Sequence, residues 1–365
     1  MKAALFSPCT YHGPSAGGWP TPATVYSSQA AQATFDEALA QARTADEAGF
    51  DWVTVAEHHF APFCITPNPM VLAGALTQAV KRARIALLGA DIPILNPIRV
   101  AEEFAMLDSM SGGRVIAGML RGTPNEYITY NVNPAESRGR FQEALELIRM
   151  AWTEPEPFGW QGRYYQYKTI SIWPRPVQDP HPPIYMSGSS PESGEYAAQN
   201  RIGLGLAVTT LPLASKAAAY YREQADKTGW RPEPDQVIYR INFHVGDSDE
   251  AAREEVMAAI SGPRSLSLAI SRDADKAIAD AGYYGRDEAQ KGRVAAAFGG
   301  GLDQRIDAGA LLLGGPRTVI DQIRRIRDEV GAGVLDLVPG HVFGEGALRS
   351  IRRFGEEVLP AIREL

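Results

Sequence analysis

The stretch Asp51-Trp52-Val53-Thr54-Val55-Ala56-Glu57-His58-His59-Phe60 is a short β-run that stops on a carboxylate and two imidazoles. An amphipathic helical pattern from Phe35 to Ala48 precedes it and Gly49 closes that helix. The local order is therefore helix, glycine stop, strand, chemistry. In a barrel of parallel strands, catalytic side chains sit at the C-terminal ends of the strands. His58 and His59 stand at such an end. They would equally suit a polar loop with incidental histidines, and the rest of the chain decides between the two.

Outward from that segment, strand-like and helix-like stretches alternate almost throughout. Strand patterns fall at 2–7, 51–57, 83–92, 114–119, 183–187, 203–208, 237–245 and 334–338. Helical patterns fall between them at 34–48, 69–81, 98–109, 137–153, 191–200, 213–228, 249–260 and 317–330, and a last one at 346–359 closes the chain. Boundary residues agree: Gly112-Gly113 stops one helix, and Pro316 follows Gly314-Gly315 where a first helical turn favours proline. Eight strands in βα alternation predict an α/β protein, a single (β/α)8 TIM barrel over residues 1–365, with a doubly wound open sheet as the alternative. Two segments break the alternation. Residues 155–182 are rich in aromatics and prolines without helical period, and 262–308 mix charge and small residues with Gly299-Gly300-Gly301. Long inserts of this kind read as lids, binding loops or dimer contacts, and the glycines favour a lid for the second.

Composition narrows the function. A net charge of -7 and 45% hydrophobic residues fit an enzyme or binding protein with a large core, and argue against nucleic acid, whose phosphates call for a basic face. No run of 18 apolar residues predicts a membrane span, and the N-terminus reads as a first strand rather than a secretory signal, so a cytoplasmic protein is expected. Cys9 and Cys64 allow at most one disulfide, and no metal-ligand cluster is visible. Nor is there a dinucleotide fingerprint, since Gly299-Gly300-Gly301 lacks the strand-to-helix setting.

An anion site is legible at two other strand ends. Arg121-Gly122 follows the fourth strand, and Gly188-Ser189-Ser190-Pro191-Glu192-Ser193 leads from the fifth into a helix. Ser190 suits the N-cap and Pro191 the first helical position. The free N–H groups and positive dipole of that helix end favour a phosphate, with Arg121 as its partner. Taken singly, the serines also fit an ordinary capped helix and Arg121 a surface ion pair.

Glu57-His58-His59-Phe60, Ser111-Gly112-Gly113-Arg114 leading to Arg121-Gly122, and Ser137-Arg138-Gly139-Arg140-Phe141 together closely resemble the bacterial luciferase-like flavin monooxygenases. Pro182-Pro183-Ile184-Tyr185-Met186-Ser187-Gly188-Ser189-Ser190, Gly315-Pro316 and Val358-Leu359-Pro360 extend the resemblance over essentially the whole chain, least well after residue 262. The resemblance implies reduced FMN bound at the barrel mouth, its phosphate held by Arg121, Ser189, Ser190 and Ser193. It implies a non-prolyl cis peptide at Leu88-Gly89 supporting the flavin, and catalysis by His58; His59, as the adjacent residue, faces the other way and reads as structural. Where luciferase has an acidic residue this chain has Ser189, and where luciferase has a reactive cysteine it has Leu120, which speaks against light emission. The implied reaction is oxygenation of a small apolar or carbonyl-containing substrate by O2, with FMNH2 supplied by a separate NAD(P)H:flavin reductase. Tyr11, Phe63, Met119, Tyr127 and Trp160 are candidate pocket residues, with core filling as the competing role. Family habit adds a homodimer. The rival readings are a deazaflavin-dependent hydride-transfer oxidoreductase and a non-catalytic flavin-binding barrel.

Overall fold

The computed structural model describes residues 1–14, 18–188, 190–261, 299–340 and 342–365. The strands are β1 (Lys2–Phe6), β2 (Trp52–Val55), β3 (Arg84–Asp91), β4 (Val115–Leu120), β5 (Phe158–Gln161), β6 (Gln166–Ile170), β7 (Ile184–Ser187), β8 (Gly203–Leu206), β9 (Val237–Val245), β10 (Leu311–Gly314) and β11 (Val334–Val338). The helices described are α1 (Ser28–Glu47), α2 (Pro69–Ala79), α3 (Pro97–Ser111), α4 (Pro124–Thr129), α5 (Ser137–Thr153), α6 (Pro191–Gln199), α7 (Leu211–Lys227), α8 (Asp249–Ile260), α9 (Leu302–Asp307), α10 (Pro316–Val330), α11 (Glu345–Arg353) and α12 (Leu359–Arg363).

Eight parallel strands close into a barrel in the order β1, β2, β3, β4, β7, β8, β9, β11, the last returning to β1. These are the eight strands read from the sequence, their ends agreeing to within two residues. Nearly every strand residue is buried, as expected when helices cover the outside and side chains fill the inside. The caps follow local chemistry. Asn96 caps α3 through its side chain, Pro97 opens the helix, and Gly112 ends it in the left-handed region at φ 68°.

Two sequence expectations need correction. Residues 155–182 are not an irregular loop: β5 and β6 form an antiparallel hairpin. Trp160 and the backbone of Arg163, Tyr164 and Tyr165 fasten it to Glu143 on α5. The second insert, 262–308, ends in the short helix α9, and the lid expected there falls largely on 262–298, outside the described residues. Just beyond it, β10 is a ninth strand of the main sheet. It pairs with the upper half of β9, where Asn242 has Leu311 on one side and Val338 of β11 on the other, and so extends the wall above the end of β8.

Inside the barrel, Ala4, Trp52, Ala86, Leu88, Ile116, Tyr185, Ile238 and Val334 make an apolar plug. The remaining core is the layer between strands and helices. The plug closes the lower half, and the upper half opens at the C-terminal strand ends.

Candidate active site

The segment after β2 folds back on itself through polar contacts. The His58 amide donates to the Thr66 carbonyl at 3.3 Å, and Thr66 donates its hydroxyl to Ala56 O at 2.7 Å. Glu57 does not orient His58. One of its oxygens meets His59 Nε2 at 3.0 Å and the other accepts the Asp91 amide at 3.0 Å, tying this loop to the end of β3. His59 is buried and packs edge-on against Tyr130, a structural place in agreement with the sequence reading.

His58 is held by a residue that was not foreseen. Its Nδ1 lies 3.1 Å from Glu126 Oε1, and Glu126 is almost wholly buried at the start of α4. With a carboxylate beside it, Nδ1 is the favoured place for the proton, which leaves Nε2 as the acceptor nitrogen. The imidazole keeps 20% of its side chain exposed, and Phe63 packs edge-on against it at 5.5 Å. Glu126 also closes the capping box of α4, accepting from the amide and the hydroxyl of Thr123. Burial pushes the Glu126 carboxyl upward, yet the His58 hydrogen bond and charge, together with the Thr123 hydroxyl, hold it below the ordinary range. A depressed carboxylate contributes stability above its unfolded value and loses it as pH falls through its folded one.

Asp91 sits beside this pair with the opposite sign. Burial, followed by the charges of Glu57 and Glu126, raises its carboxyl well above the usual value. An unfolded Asp ionises near about 3.9, so above that pH the unfolded chain releases a proton that the folded one retains, and stability falls as pH rises. Asp91→Asn mimics the protonated form. Its melting temperature should therefore exceed that of the parent protein by more at pH 8 than at pH 5; an equal offset at both pH values would refute the assignment.

The β3–β4 seam is the second component. The Leu88–Gly89 peptide is cis, and the strand register slips between Leu87 and Ala90. Gly118 of β4 faces this peptide so closely that a Cβ there would lie 2.0 Å from the Leu87 carbonyl oxygen. A Cβ at Gly89 would lie 2.7 Å from Gly118 O. Gly122, at φ 89°, turns the chain after Arg121 against the Asp91 carboxyl.

The third component is the N-terminus of α6, where the sequence leads to the expectation of an anion site. Ser190 caps α6, its hydroxyl oxygen accepting from the Ser193 amide at 3.3 Å and donating to Ser193 Oγ at 3.1 Å. Gly188 permits the approach, since a Cβ would lie 2.4 Å from Ser193 Cβ. At the same helix end the Glu192 carboxyl is lowered by its own amide and the Ser190 hydroxyl, then by the nearby charges of Arg138 and Arg121. The charges of two arginines are thus felt at the N-terminus of α6. Arg138 lay within a quoted motif but was given no role. Ser189 lies outside the described residues.

The pocket candidates scatter. Phe63 stays at the mouth beside His58. Tyr11 is buried after β1, its hydroxyl accepting the Ser27 amide at 2.7 Å. Met119 is fully buried and points outward into the layer under the helices. Tyr127 is fully buried and donates to Arg121 O at 2.8 Å, bracing the turn that carries the arginine. Trp160 belongs to the outer hairpin. These last three do not line the mouth as expected. Cys9 and Cys64 are free and buried, and desolvation pushes their thiols up to about 12 and about 11. Neither should react with iodoacetamide in the folded protein at pH 8, while both should react in denaturant; rapid labelling of the native protein would show the burial to be wrong.

The chain is thus a TIM barrel of eight parallel strands that carries a histidine, a close backbone seam and a serine-capped helix end at the C-terminal ends of its strands. The sequence profile described as luciferase-like monooxygenase matches residues 16–333, and the chain belongs to this family. It is 28% identical over 226 residues to the oxygenase component of the flavin-dependent trigonelline monooxygenase of Acinetobacter baylyi, covering 60% of this chain and 61% of that protein. It is 31% identical over 159 residues to the alkanal monooxygenase alpha chain of Photorhabdus luminescens, covering 43% and 44%. The chain thus spans about half the length of the curated relatives it matches. Among solved structures, monooxygenase RslO1 from Streptomyces bottropensis superposes with a TM-score of 0.77 at 26% identity over 99% of both chains. The fold is shared with the FMN complex of the oxygenating constituent of 3,6-diketocamphane monooxygenase from Pseudomonas putida, at a TM-score of 0.75 and 20% identity over 99% and 98%. It is shared also with an F420-dependent secondary alcohol dehydrogenase, at a TM-score of 0.69 and 20% identity over 100% and 99%.

Proposed function

We propose that this luciferase-like oxidoreductase is an FMNH2-dependent monooxygenase that oxygenates a small apolar or carbonyl-containing substrate. The observation that carries the reading is the His58–Glu126 pair, an imidazole oriented by a buried carboxylate at the mouth of the barrel. The residues present fit FMN. A phosphate is served by the free amides of α6, the Ser190 and Ser193 hydroxyls, and the arginines Arg121 and Arg138. A flat ring is served by the seam at Leu88–Gly89, where Gly118 adds no side chain.

Reduced flavin supplies the electrons that activate O2. The protein's part is orientation, exclusion of water and proton control. His58 Nε2 gives or takes a proton at the reacting oxygen, while Glu126 fixes the tautomer and stabilises the charged ring. Glu57 and Asp91 lock the loop that carries the histidine. Reduced FMN would come from a separate reductase, in keeping with the relative whose name calls it an oxygenase component.

The reading is tested by mixing protein and anaerobic FMNH2 with oxygenated buffer in a stopped-flow instrument. A flavin transient that outlives the one in free solution is the expected outcome. Its absence despite demonstrated FMNH2 binding, with anaerobic turnover of reduced deazaflavin instead, would replace oxygenation by hydride transfer.

A further inference from the structure

The barrel interior holds one charged pair that the proton chemistry above does not use. Arg240 lies on β9 two residues beyond Ile238 of the apolar plug, one inward-facing position nearer the mouth. Its Nε donates to Asp336 Oδ2 at 2.6 Å, and its Nη2 donates to the Leu88 carbonyl at 3.1 Å. The Phe6 ring covers one face of the guanidinium, 3.7 Å from Cζ to centroid. Asp336 is fully buried and receives the Thr54 hydroxyl at 2.7 Å. The cation is thus pinned on one edge, at one carbonyl and on one face. Even so, 21% of its side chain stays exposed, and Nη1 has no protein partner among the described residues.

A buried ion pair is weak evidence for stability, because desolvation offsets its attraction, and apolar side chains are the usual filling of such barrels. A cation kept there with open N–H donors is suited to an anion placed above it. The carbonyl that Arg240 engages belongs to the cis peptide against which the flavin ring is placed in the reading above, and the inference rests on that reading. Oxidised isoalloxazine is neutral, whereas the two-electron-reduced ring readily carries a negative charge on its pyrimidine side; protein charge near that side tunes the cofactor. We propose that Arg240 is the fixed cation that makes this barrel bind reduced FMN in preference to oxidised FMN, with Asp336 and Thr54 as the residues that position it.

The test measures dissociation constants for FMN and, anaerobically, for FMNH2, together with the midpoint potential of the bound flavin. Arg240→Gln combined with Asp336→Asn removes both charges while keeping hydrogen-bonding groups in place. This pair should lose about tenfold of the preference for the reduced form, equivalent to about 30 mV lower potential for a two-electron couple. Asp336→Asn alone leaves the cation uncompensated and should shift the preference the other way. Should that single variant fail to fold, the double variant decides the matter. Normal FMN binding with an unchanged ratio in the double variant would overturn the proposal and leave a structural ion pair. If the unaltered protein bound neither form, the FMN reading itself would fall, and this inference with it.

Discussion

His58→Asn is expected to bind FMNH2 within a few-fold of the parent protein while losing about 10²- to 10⁴-fold in coupled oxygenation, the range that general acid–base groups supply. Oxygen uptake would persist, but nearly all of it would appear as hydrogen peroxide, and the flavin transient would shorten toward that of free FMNH2. The expectation follows from position. His58 is partly open to the mouth at the end of β2, whereas the anion cradle lies at the ends of β4 and β7 and does not depend on it. Unchanged peroxide release in His58→Asn would dismiss the catalytic assignment.

Glu126→Gln gives a finer reading of the same pair. Glutamine at this helix position still closes a capping box, so α4 should stay formed. What is lost is the negative charge beside Nδ1. Hydrogen bonds to charged groups contribute about 1.5–3 kcal/mol, so a decrease of roughly tenfold or more is expected, with the pH profile of the reaction shifted as well. A role confined to holding the helix would lower the amount of folded protein without moving that profile.

The partners in this pair show what a sequence can reveal. The histidine was legible because a strand, a glycine stop and a helical period placed it at a strand end, all between Phe35 and His58. Its carboxylate was not, because Glu126 lies 68 residues downstream in a helix of six residues, too short to declare itself by periodicity. Glu57 is the nearer carboxylate along the chain, and the fold turns it toward His59 and β3 instead. The same limit hid Arg240 and Asp336, 96 residues apart and joined only by the β9–β11 register. Met119 was misread for a different reason: adjacent strand residues face opposite ways, and a strand end alone does not say which of two neighbours looks inward. β10 escaped because four residues of it follow directly on an insert with no pattern of its own. Capped helices and buried parallel strands, by contrast, depend on local chemistry, and most were read to within two residues; the exceptions are α1, which begins at Ser28 rather than at 34, and the closing helix, which is interrupted between α11 and α12.

Gly118→Ala is expected to be the most disruptive single methyl group that can be added to this barrel's mouth. The new Cβ would sit 2.0 Å from the Leu87 carbonyl oxygen and 2.7 Å from Leu88 Cδ2. A flexible side-chain tip could swing away from such a contact, but a backbone oxygen in the middle of a parallel ladder moves only with its strand. Overpacking a rigid interior costs about 1–3 kcal/mol, and here the displaced group is backbone, so a loss of about 3 kcal/mol or more is expected. The strain also has a direction. Relief requires β3 and β4 to part where the register already slips between Leu87 and Ala90, and the Leu88 carbonyl that Arg240 engages would shift with them. Flavin affinity should therefore fall along with the melting temperature. A methyl group added at Gly74 in α2, half-buried and with nothing within 4 Å of a Cβ, should leave flavin affinity unchanged and raise the melting temperature slightly, alanine being the better helix former. If Gly118→Ala melted and bound flavin like the parent protein, the close approach of the two strands, and the seat for the ring built on it, would be wrong.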